Sequence, residues 1–464
     1  MSILVWFRRD LRVQDNPALA RAVADARELR QPLVAVYVHD PQGTGGRAVG
    51  AASRWYLDRS LRSLQDSLSA LGIPLHLERG SPILRIGALA NRLGGRRVYW
   101  NRVLEPEQAA LDDALTRALL QAGVPVRTFD DDCLIMPEHL RRADGSPYRV
   151  FTPFWRRAYG LLEAGGLHDR LPAKPGAVGE PMPADPTAVD RLGLLDPNAW
   201  HRKLGRYWQP GERTALGRWG AFFGDGIQDY DTGRDLPGIP GTSGLSPALH
   251  FGELSALRLY AQCAERLAGE ADEVARAGII RFMIELGWRE FARHVLHAWP
   301  DLPDRSLDRR FDRPDAWEAD ADGRLLRACQ QGETGFSLVD AGMRQLWETG
   351  WMHNRVRMVV ASFLTKNIGL HWREGARWFW DTLVDADLAS NTLGWQWVAG
   401  CGTDAAPYYR IFNPETQAQR FDPDYSYRGR WLGEGVRPAP VLDLRSSRER
   451  ALERYRHAIK NRAA

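Results

Sequence analysis

Apolar residues in the first 130 positions fall into short continuous runs separated by amphipathic stretches. The runs ILVWF (3–7), LVAVYVH (33–39), PLHLERG (74–80) and RRVYWNR (96–102) are typical of short, fully buried strands. NPALARAVADA and AASRWYLDRSLRSLQDSLSAL, which lie between the first three runs, are typical of helices with one apolar face. This alternation predicts a Rossmann-like α/β domain over residues 1–130, with a doubly wound parallel sheet.

The pattern changes twice further along the chain. From about 165 to 225 the chain becomes rich in Pro, Gly and Asp, as in LPAKPGAVGEPMPADPTAVD, and residues 131–225 are predicted to form an interdomain connector on the surface. After residue 225, apolar residues recur at three- and four-residue spacing almost throughout. Residues 226–464 are therefore predicted to form an all-helical C-terminal domain.

Composition narrows the class of protein. The chain has 464 residues, too many for one ordinary core, and no apolar run of about 18 residues that would predict a membrane span. The N-terminus lacks a secretory apolar segment, and the four cysteines are far apart without a CxxC pair. We therefore expect a cytoplasmic protein with neither a disulfide framework nor a zinc site. The net charge of +4 permits a polyanionic partner without requiring one.

A polar loop opens one predicted helix in the C-terminal half. In GTSGLSPALHFGELS (241–255), Thr242, Ser243 and Ser246 surround Gly244. Hydroxyls and free backbone N–H groups at a helix start suit a phosphate, although an ordinary N-cap explains them equally well. The first strand is followed by neither GxGxxG nor GxxxxGK[ST], so the usual Rossmann dinucleotide site and the P-loop are not predicted.

A second cluster lies in ELGWREFARH (285–294). Glu285, Trp288 and Arg289 are at i, i+3 and i+4 and share one side of a helix. An arginine there can hold a phosphate, an indole can stack on a base, and a carboxylate can accept a hydrogen bond. The alternative, a solvated Glu–Arg pair beside a core tryptophan, explains the same spacing.

The third cluster combines one predicted helix with the segment that leads into GWQW. The polar and sulfur-containing positions are Asn354, Arg355, Arg357, Met358, Asp385, Asp387 and Asn391. An Arg357–Asp385 pair beside an asparagine would cradle a heterocycle rich in hydrogen-bonding edges. No second histidine or cysteine stands at ligand spacing, so no metal site is predicted.

Tryptophan is abundant, with 18 residues in the chain, and two of them lie close together in GWQWVAG (394–400). Most buried aromatic residues are simply core. Trp395 and Trp397 can therefore be core, or they can handle electrons or stack on bases, and the local spacing leaves these alternatives open.

Several long motifs, in order, resemble the DNA photolyase/cryptochrome family, and the resemblance covers nearly the whole chain. They are LVWFRRDLRVQDNPAL, YRVFTPFWRRA, GTSGLSPALHFGELS, TGFSLVDAGMRQLWETGWMHNRVRM and DADLASNTLGWQWVAGCGTDAAPYYRIFNP. The chain is most similar to class I cyclobutane pyrimidine dimer photolyases. The resemblance implies an N-terminal antenna domain and a helical domain that binds FAD, active as FADH⁻.

The resemblance also implies which residues bind FAD. Those matching the phosphate and ribityl contacts are Tyr230, Thr242, Ser243, Gly244, Leu245 and Ser246. Arg357 and Asp385 would pair beside the flavin ring, Asp387 would lie at the adenine/flavin edge, and Asn391 would face flavin N5. Phe282 stands where some relatives have a tryptophan near FAD, a departure that we expect to be tolerated.

The implied substrate is UV-damaged DNA, double- or single-stranded, with a pyrimidine dimer flipped out of the helix. Glu285 and Asn354 would hydrogen-bond the dimer, Trp288 and Trp397 would form its aromatic walls, and Met358 is typical of enzymes for cyclobutane dimers. The arginines matching phosphate contacts are Arg234, Arg289, Arg355 and Arg410. Trp395, Trp372 and Trp317 would carry electrons to the flavin from the surface.

The resemblance leaves the antenna chromophore and the exact function open. Around YWNRVLEPEQ (99–108) the chain lacks the patterns of both methenyltetrahydrofolate-binding and deazaflavin-binding relatives, so the second, antenna chromophore is undecided between these two. A bacterial cryptochrome that signals without repairing DNA is the main alternative function, and a non-photochemical flavin oxidoreductase is a third. A monomer is expected.

Overall fold

The structure, a computed structural model, describes residues 2–195, 197–198, 200–405, 409–435 and 437–457, except the side chain at position 96. The chain divides into two compact units. The first contains the described residues within 1–145, 155–225 and 243–271, and the second those within 146–154, 226–242 and 272–464. The predicted boundaries at 130 and 225 stay a prediction.

The first unit is built on a five-stranded parallel sheet with strand order β3–β2–β1–β4–β5. The strands are β1 (Ser2–Phe7), β2 (Leu33–His39), β3 (Leu75–Arg79), β4 (Gly95–Asn101) and β5 (Val126–Phe129). The helices that connect them are α1 (Pro17–Leu29), α2 (Ala51–Ser69), α3 (Pro82–Arg92) and α4 (Pro106–Gln121). The predicted parallel α/β fold is confirmed.

The centre of this sheet explains why apolar runs were so clear in the sequence. Every residue of β1 and β2 is buried, and Val5 of β1 lies between Ala35 of β2 and Tyr99 of β4. A strand covered on both faces needs apolar side chains at every position, because neither face meets water.

The edges of the sheet correct the prediction. The strand predicted from PLHLERG was expected to be fully buried, but β3 is an edge strand and its side chains are partly exposed. The opposite edge, β5, was missed, because it has only four residues and its middle two, Arg127 and Thr128, are exposed and polar. Edge strands carry a weaker apolar signal since one side lacks a neighbour.

The segment from 165 to 225 is more ordered than a surface connector. It contains the helix α6 (Glu212–Ala221), and Val189, Leu192 and Leu204 are buried. Pro and Gly occur at its turns, while Val189, Leu192 and Leu204 pack in the interior of the first unit.

The regular elements of the remaining described chain are helices, as predicted after residue 225, and α5 lies before that residue. They are α5 (Phe151–Ala164), α7 (Tyr230–Gly233), α8 (Ser246–His250), α9 (Ala256–Gly269), α10 (Glu273–Ala298), α11 (Arg324–Gln331), α12 (Ser337–Thr349), α13 (Asn354–Ser362), α14 (Trp372–Thr382), α15 (Leu388–Ala399), α16 (Pro414–Phe421), α17 (Ser426–Leu432) and α18 (Leu444–Tyr455). In the second unit α10 packs against α7 and α15, and α15 packs against α13 and α14. Within the described chain, no helix has both the length and the apolar character needed to span a bilayer.

Candidate functional site

The predicted Arg357–Asp385 ion pair is present in the second unit. Arg357 lies on α13 and its Nη2 is 2.9 Å from Oδ2 and 3.1 Å from Oδ1 of Asp385. Its Nε donates to the backbone oxygen of Met352 at 2.7 Å, and Asp385 is buried. The Asp385 carboxylate and the Met352 carbonyl therefore hold the guanidinium in one orientation. A group fixed in this way can hold one edge of a flat ligand in place.

Asn391, in the first turn of α15, has one end of its amide fixed and the other free. Its Nδ2 donates to the backbone oxygen of Ala376 on α14 at 3.0 Å. The flipped amide would set two oxygens against each other, so the carbonyl neighbour fixes the orientation. No described donor reaches Oδ1, which remains available to accept a hydrogen bond from a ligand N–H.

Asp387 begins α15. Its Oδ1 accepts from the backbone N of Ser390 at 2.9 Å, and its Oδ2 accepts from Arg293 Nη2 at 3.1 Å. Arg293, on α10, was not singled out from the sequence. The sequence around Arg293 gives no sign of this ion pair, because its partner Asp387 is 94 residues away along the chain.

Tyr230 and Phe282, both predicted to lie at the cofactor, are in contact with each other. Their ring centroids are 5.7 Å apart at 69°, an edge-to-face contact, and both rings are buried. The guanidinium of Arg234 lies 5.7 Å above the Tyr230 ring. Burial raises the pKa of the Tyr230 phenol, so it stays protonated as a hydrogen-bond donor.

The predicted phosphate loop divides between the two units, with Thr242 in the second and Ser243–Ser246 in the first. In the first unit Gly244 has φ +62°, and a Cβ placed on it would lie 2.7 Å from Nη1 of Arg218. Arg218 Nη1 also donates to Gly244 O at 3.4 Å. Arg218, which was not predicted, places a cation at Gly244, and a cation at a loop of this kind fits a phosphate.

Three acidic residues of the second unit pair with arginines around α7. Arg234 pairs with Glu285, while Asp231 accepts from Arg281 Nε at 2.8 Å. Asp235 lies 2.7 Å from Arg355 Nη2. Arg234 and Arg355, both predicted to hold DNA phosphates, are thus neutralised by neighbouring carboxylates. Burial raises the pKa of Glu285 in spite of the opposing charges of Arg234 and Arg281.

Trp288 and Arg289 have partners that the sequence did not reveal. The Trp288 ring stacks on Phe151, with centroids 3.8 Å apart and planes at 7°. Arg289 Nη1 lies 2.9 Å from Glu290 Oε1. Trp288 remains partly exposed, so it can present a further face while Phe151 supports the other.

Trp395, a residue of α15, is buried against α14. A Cβ placed on Gly375 would lie 2.0 Å from Cη2 of Trp395, so the indole rests on the backbone of α14. Phe379 meets its ring edge-to-face at 5.0 Å. Trp372, three residues before Gly375, is buried in the same core and donates from Nε1 to Ser306 Oγ at 3.0 Å. Trp317, partly exposed, donates to Phe311 O at 2.6 Å.

Trp397 packs against the edge of this core and is partly exposed. Its Nε1 donates to Asp404 O at 3.2 Å, and its ring lines a pocket together with Arg410, Lys366 and Phe412. The structure thus brings together two of the predicted substrate residues, Trp397 and Arg410. Three more predicted substrate residues lie on α13: Asn354 is exposed at the helix start, and the sulfur of Met358 is 3.9 Å from Nη1 of Arg355.

Comparison with known proteins agrees with these features. The family model "DNA photolyase" matches residues 3–175, and "FAD binding domain of DNA photolyase" matches residues 282–437. A deoxyribodipyrimidine photo-lyase of Agrobacterium fabrum is 38% identical, covering 98% of this chain and 97% of that protein. Cryptochrome-1 of Arabidopsis thaliana is 35% identical, covering 93% of this chain and 62% of that protein.

A solved structure shares the fold closely. It is a bacterial class III photolyase from Agrobacterium tumefaciens, with a TM-score of 0.88, 36% identity, and coverage of 99% of this chain and 98% of that one. These matches do not single out class I within the photolyases. They extend over nearly the full length, and the chain therefore belongs to the DNA photolyase/cryptochrome family, with an FAD-binding domain in its helical half.

Proposed function

We propose that the protein is a deoxyribodipyrimidine photolyase, a light-dependent carbon–carbon lyase that splits cyclobutane pyrimidine dimers in DNA. The observation that carries this is Asn391, whose fixed amide offers an uncharged acceptor on α15, the helix that packs against α13 and its Arg357. A neutral acceptor can hold a protonated flavin N5 without adding a charge that repels an anionic reduced ring.

Reduced FAD, when bound, supplies an electron that light drives into the dimer. The described residues supply position and protonation state. Arg357 and Asp385 would hold the ring edge, Tyr230 would donate a hydrogen bond to the phosphate or ribityl part of FAD, and Phe282 would pack near the cofactor. Trp395 and Trp372 would deliver electrons to the cofactor from the protein interior, and Trp317 would be the outer donor.

On the substrate side, Glu285 would bind the flipped dimer. Its raised pKa favours the protonated form, which can donate to a pyrimidine carbonyl once Arg234 leaves it for a phosphate. Trp288 and Trp397 would stack on the dimer, Asn354 would hydrogen-bond it, and Met358 would contact it. Arg234, Arg289, Arg355 and Arg410 would bind flanking phosphates.

One assay tests this proposal. Reduced protein is mixed with UV-irradiated oligo-dT and illuminated with blue light, and recovery of thymine absorbance is followed, with a dark sample as control. Recovery in light alone is expected. If thymine absorbance does not recover in light while FAD is bound, the protein is not a repair enzyme. The alternative is then a cryptochrome, a function that the similarity to Cryptochrome-1 supports.

A variant pair tests the role of Glu285. Glu285→Gln should lower the repair yield while FAD remains bound, because an amide N–H is a much weaker acid than a carboxyl O–H and stabilises negative charge on a pyrimidine carbonyl less well. Glu273→Gln, an exposed position in the first turn of the same helix, is the matched control and should repair normally. Loss of FAD from Glu285→Gln would show that this residue belongs to the cofactor site instead.

A further inference from the structure

A histidine lies inside the proposed tryptophan path. The ring centroid of His371 is 4.7 Å from that of Trp317 and 5.6 Å from that of Trp372. Throughout the described residues, the rings of Trp317 and Trp372 make no direct pair with each other. The imidazole is therefore the aromatic group in contact with both indoles.

The orientation of this ring is set by the start of α14. His371 is the N-cap residue, and its Nδ1 accepts from the backbone N of Arg373 at 3.1 Å. Because Nδ1 is an acceptor, the proton of the neutral ring is on Nε2. Nε2 is buried and has no hydrogen-bond partner among the described residues. The cap thus fixes the ring at its Nδ1 edge, and the two indoles contact the ring so held.

The ring is also uncharged at neutral pH. Burial, together with the nearby cations Arg373 and Arg377, lowers the pKa of His371 to about 4, and only Asp312 opposes them. A permanent positive charge between the two indoles would oppose the movement of an electron vacancy from one to the other, because like charges repel. A neutral ring carries no such barrier.

We propose that His371 positions and electronically couples Trp317 to Trp372, so that the outer step of electron transfer runs through the imidazole. The inference rests on the electron path given under Proposed function. In this step Trp317 loses one electron and is oxidised, and the electron-deficient Trp372 gains it and is reduced. No bond breaks, since both indole N–H groups keep their acceptors, Phe311 O and Ser306 Oγ. The imidazole is unchanged at the end.

Two variants separate the ring from the cap. His371→Asn keeps an N-cap side chain and removes the ring, whereas His371→Phe keeps a ring and removes the cap. The holoenzyme of each is flashed in its oxidised form, and the tryptophan radical is followed by transient absorption. His371→Asn should lose most of the long-lived radical, because the vacancy stays on Trp372 and recombines. His371→Phe should keep it, although its unfolding temperature falls.

A matched substitution controls for the loss of a buried histidine. His353 caps α13 in the same way, with Nδ1 accepting from Arg355 N at 3.2 Å, and its ring is not near Trp317 or Trp372 in any described ring pair. His353→Asn should leave the radical lifetime as it is in the unmodified protein. If His353→Asn and His371→Asn shorten it equally, the effect is structural and the proposal fails.

Trp317→Phe distinguishes failure of the proposal from failure of the path. If Trp317→Phe leaves the long-lived radical intact, Trp317 is not the outer donor and the path itself is wrong. If Trp317→Phe abolishes the radical but His371→Asn does not, only the role of His371 is refuted. In the double variant Trp317→Phe/His371→Asn, we expect no loss beyond that of Trp317→Phe, since both changes block one step.

Discussion

Among single residues, Glu253 in the first unit is an unusual buried carboxyl group. It is 1% exposed and accepts from Tyr56 Oη at 2.9 Å, Ser60 Oγ at 2.7 Å and Gly211 N at 2.7 Å. Burial raises its pKa from 4.5 to about 7, in spite of these three donors. The folded protein therefore binds this proton more tightly than the unfolded chain does.

The raised pKa predicts how stability depends on pH. The contribution of Glu253 is fully present below pH 4.5 and is lost as pH rises through about 7. Between these values the free energy of unfolding should fall by at most about 1.4 kcal/mol per pH unit. Glu253→Gln, neutral throughout, should flatten this dependence in thermal unfolding measured across the window. Glu180→Gln, exposed in the same unit, should not; a slope unchanged in Glu253→Gln would contradict the assignment.

Residue pairs differ in how far the sequence reveals them. The Arg357–Asp385 pair was predicted because the resemblance names both partners. The partners of Trp288, Asp387 and Arg355, which are Phe151, Arg293 and Asp235, were not. Each lies far away along the chain, so only the packing of the helices shows that they meet.

At the scale of elements, the contact between α14 and α15 depends on one glycine. Gly375→Ala would force Trp395 away, because the added Cβ would lie 2.0 Å from its ring. Overpacking of this kind costs about 1–3 kcal/mol, more than the roughly 1 kcal/mol that alanine gains over glycine in a helix. We expect a lower unfolding temperature and slower photoreduction of bound flavin.

Gly394, on α15, provides the control for this prediction. It is exposed, and a Cβ placed there would meet nothing within 4 Å. Gly394→Ala should therefore be neutral or slightly stabilising, with normal photoreduction. Equal effects of the two substitutions would show that helix propensity, and not the Trp395 contact, is being measured.

Elements were predicted well where one physical rule dominated. The buried central strands were found because their apolar runs are continuous, and the amphipathic helices because apolar residues recur at three- and four-residue spacing. The edge strand β5 and the helix α6 were not, since both are short and partly exposed. The division of GTSGLS between the two units could not be predicted either, because the local sequence does not determine with which unit a loop packs.

For the whole molecule, the balance of charge around α7 should control affinity for DNA. Asp235 neutralises Arg355 in the free protein, at 2.7 Å. Asp235→Asn should free that arginine for a phosphate, giving tighter binding to damaged and undamaged duplexes alike and a plot of log affinity against log salt steeper by about one unit. Fluorescence anisotropy over a range of salt concentrations measures both quantities.

The same change in net charge elsewhere controls for nonspecific attraction. Glu449→Gln removes an exposed carboxylate of α18 that pairs with Arg445. It should alter affinity only slightly and leave the salt dependence unchanged. If both variants bind DNA equally well, overall charge and not the release of Arg355 determines affinity.

The contact of the Trp395 ring with the backbone at Gly375 affects how fast Trp395 would transfer an electron. The indole is 3% exposed, rests on Gly375 and meets Phe379 edge-on, so it has neither solvent nor spare volume around it. A donor in such a setting reorganises little when its charge changes, because nearby dipoles and water cannot relax around it. Distance and orientation would then govern how fast the electron leaves, and the protein would not have to move first.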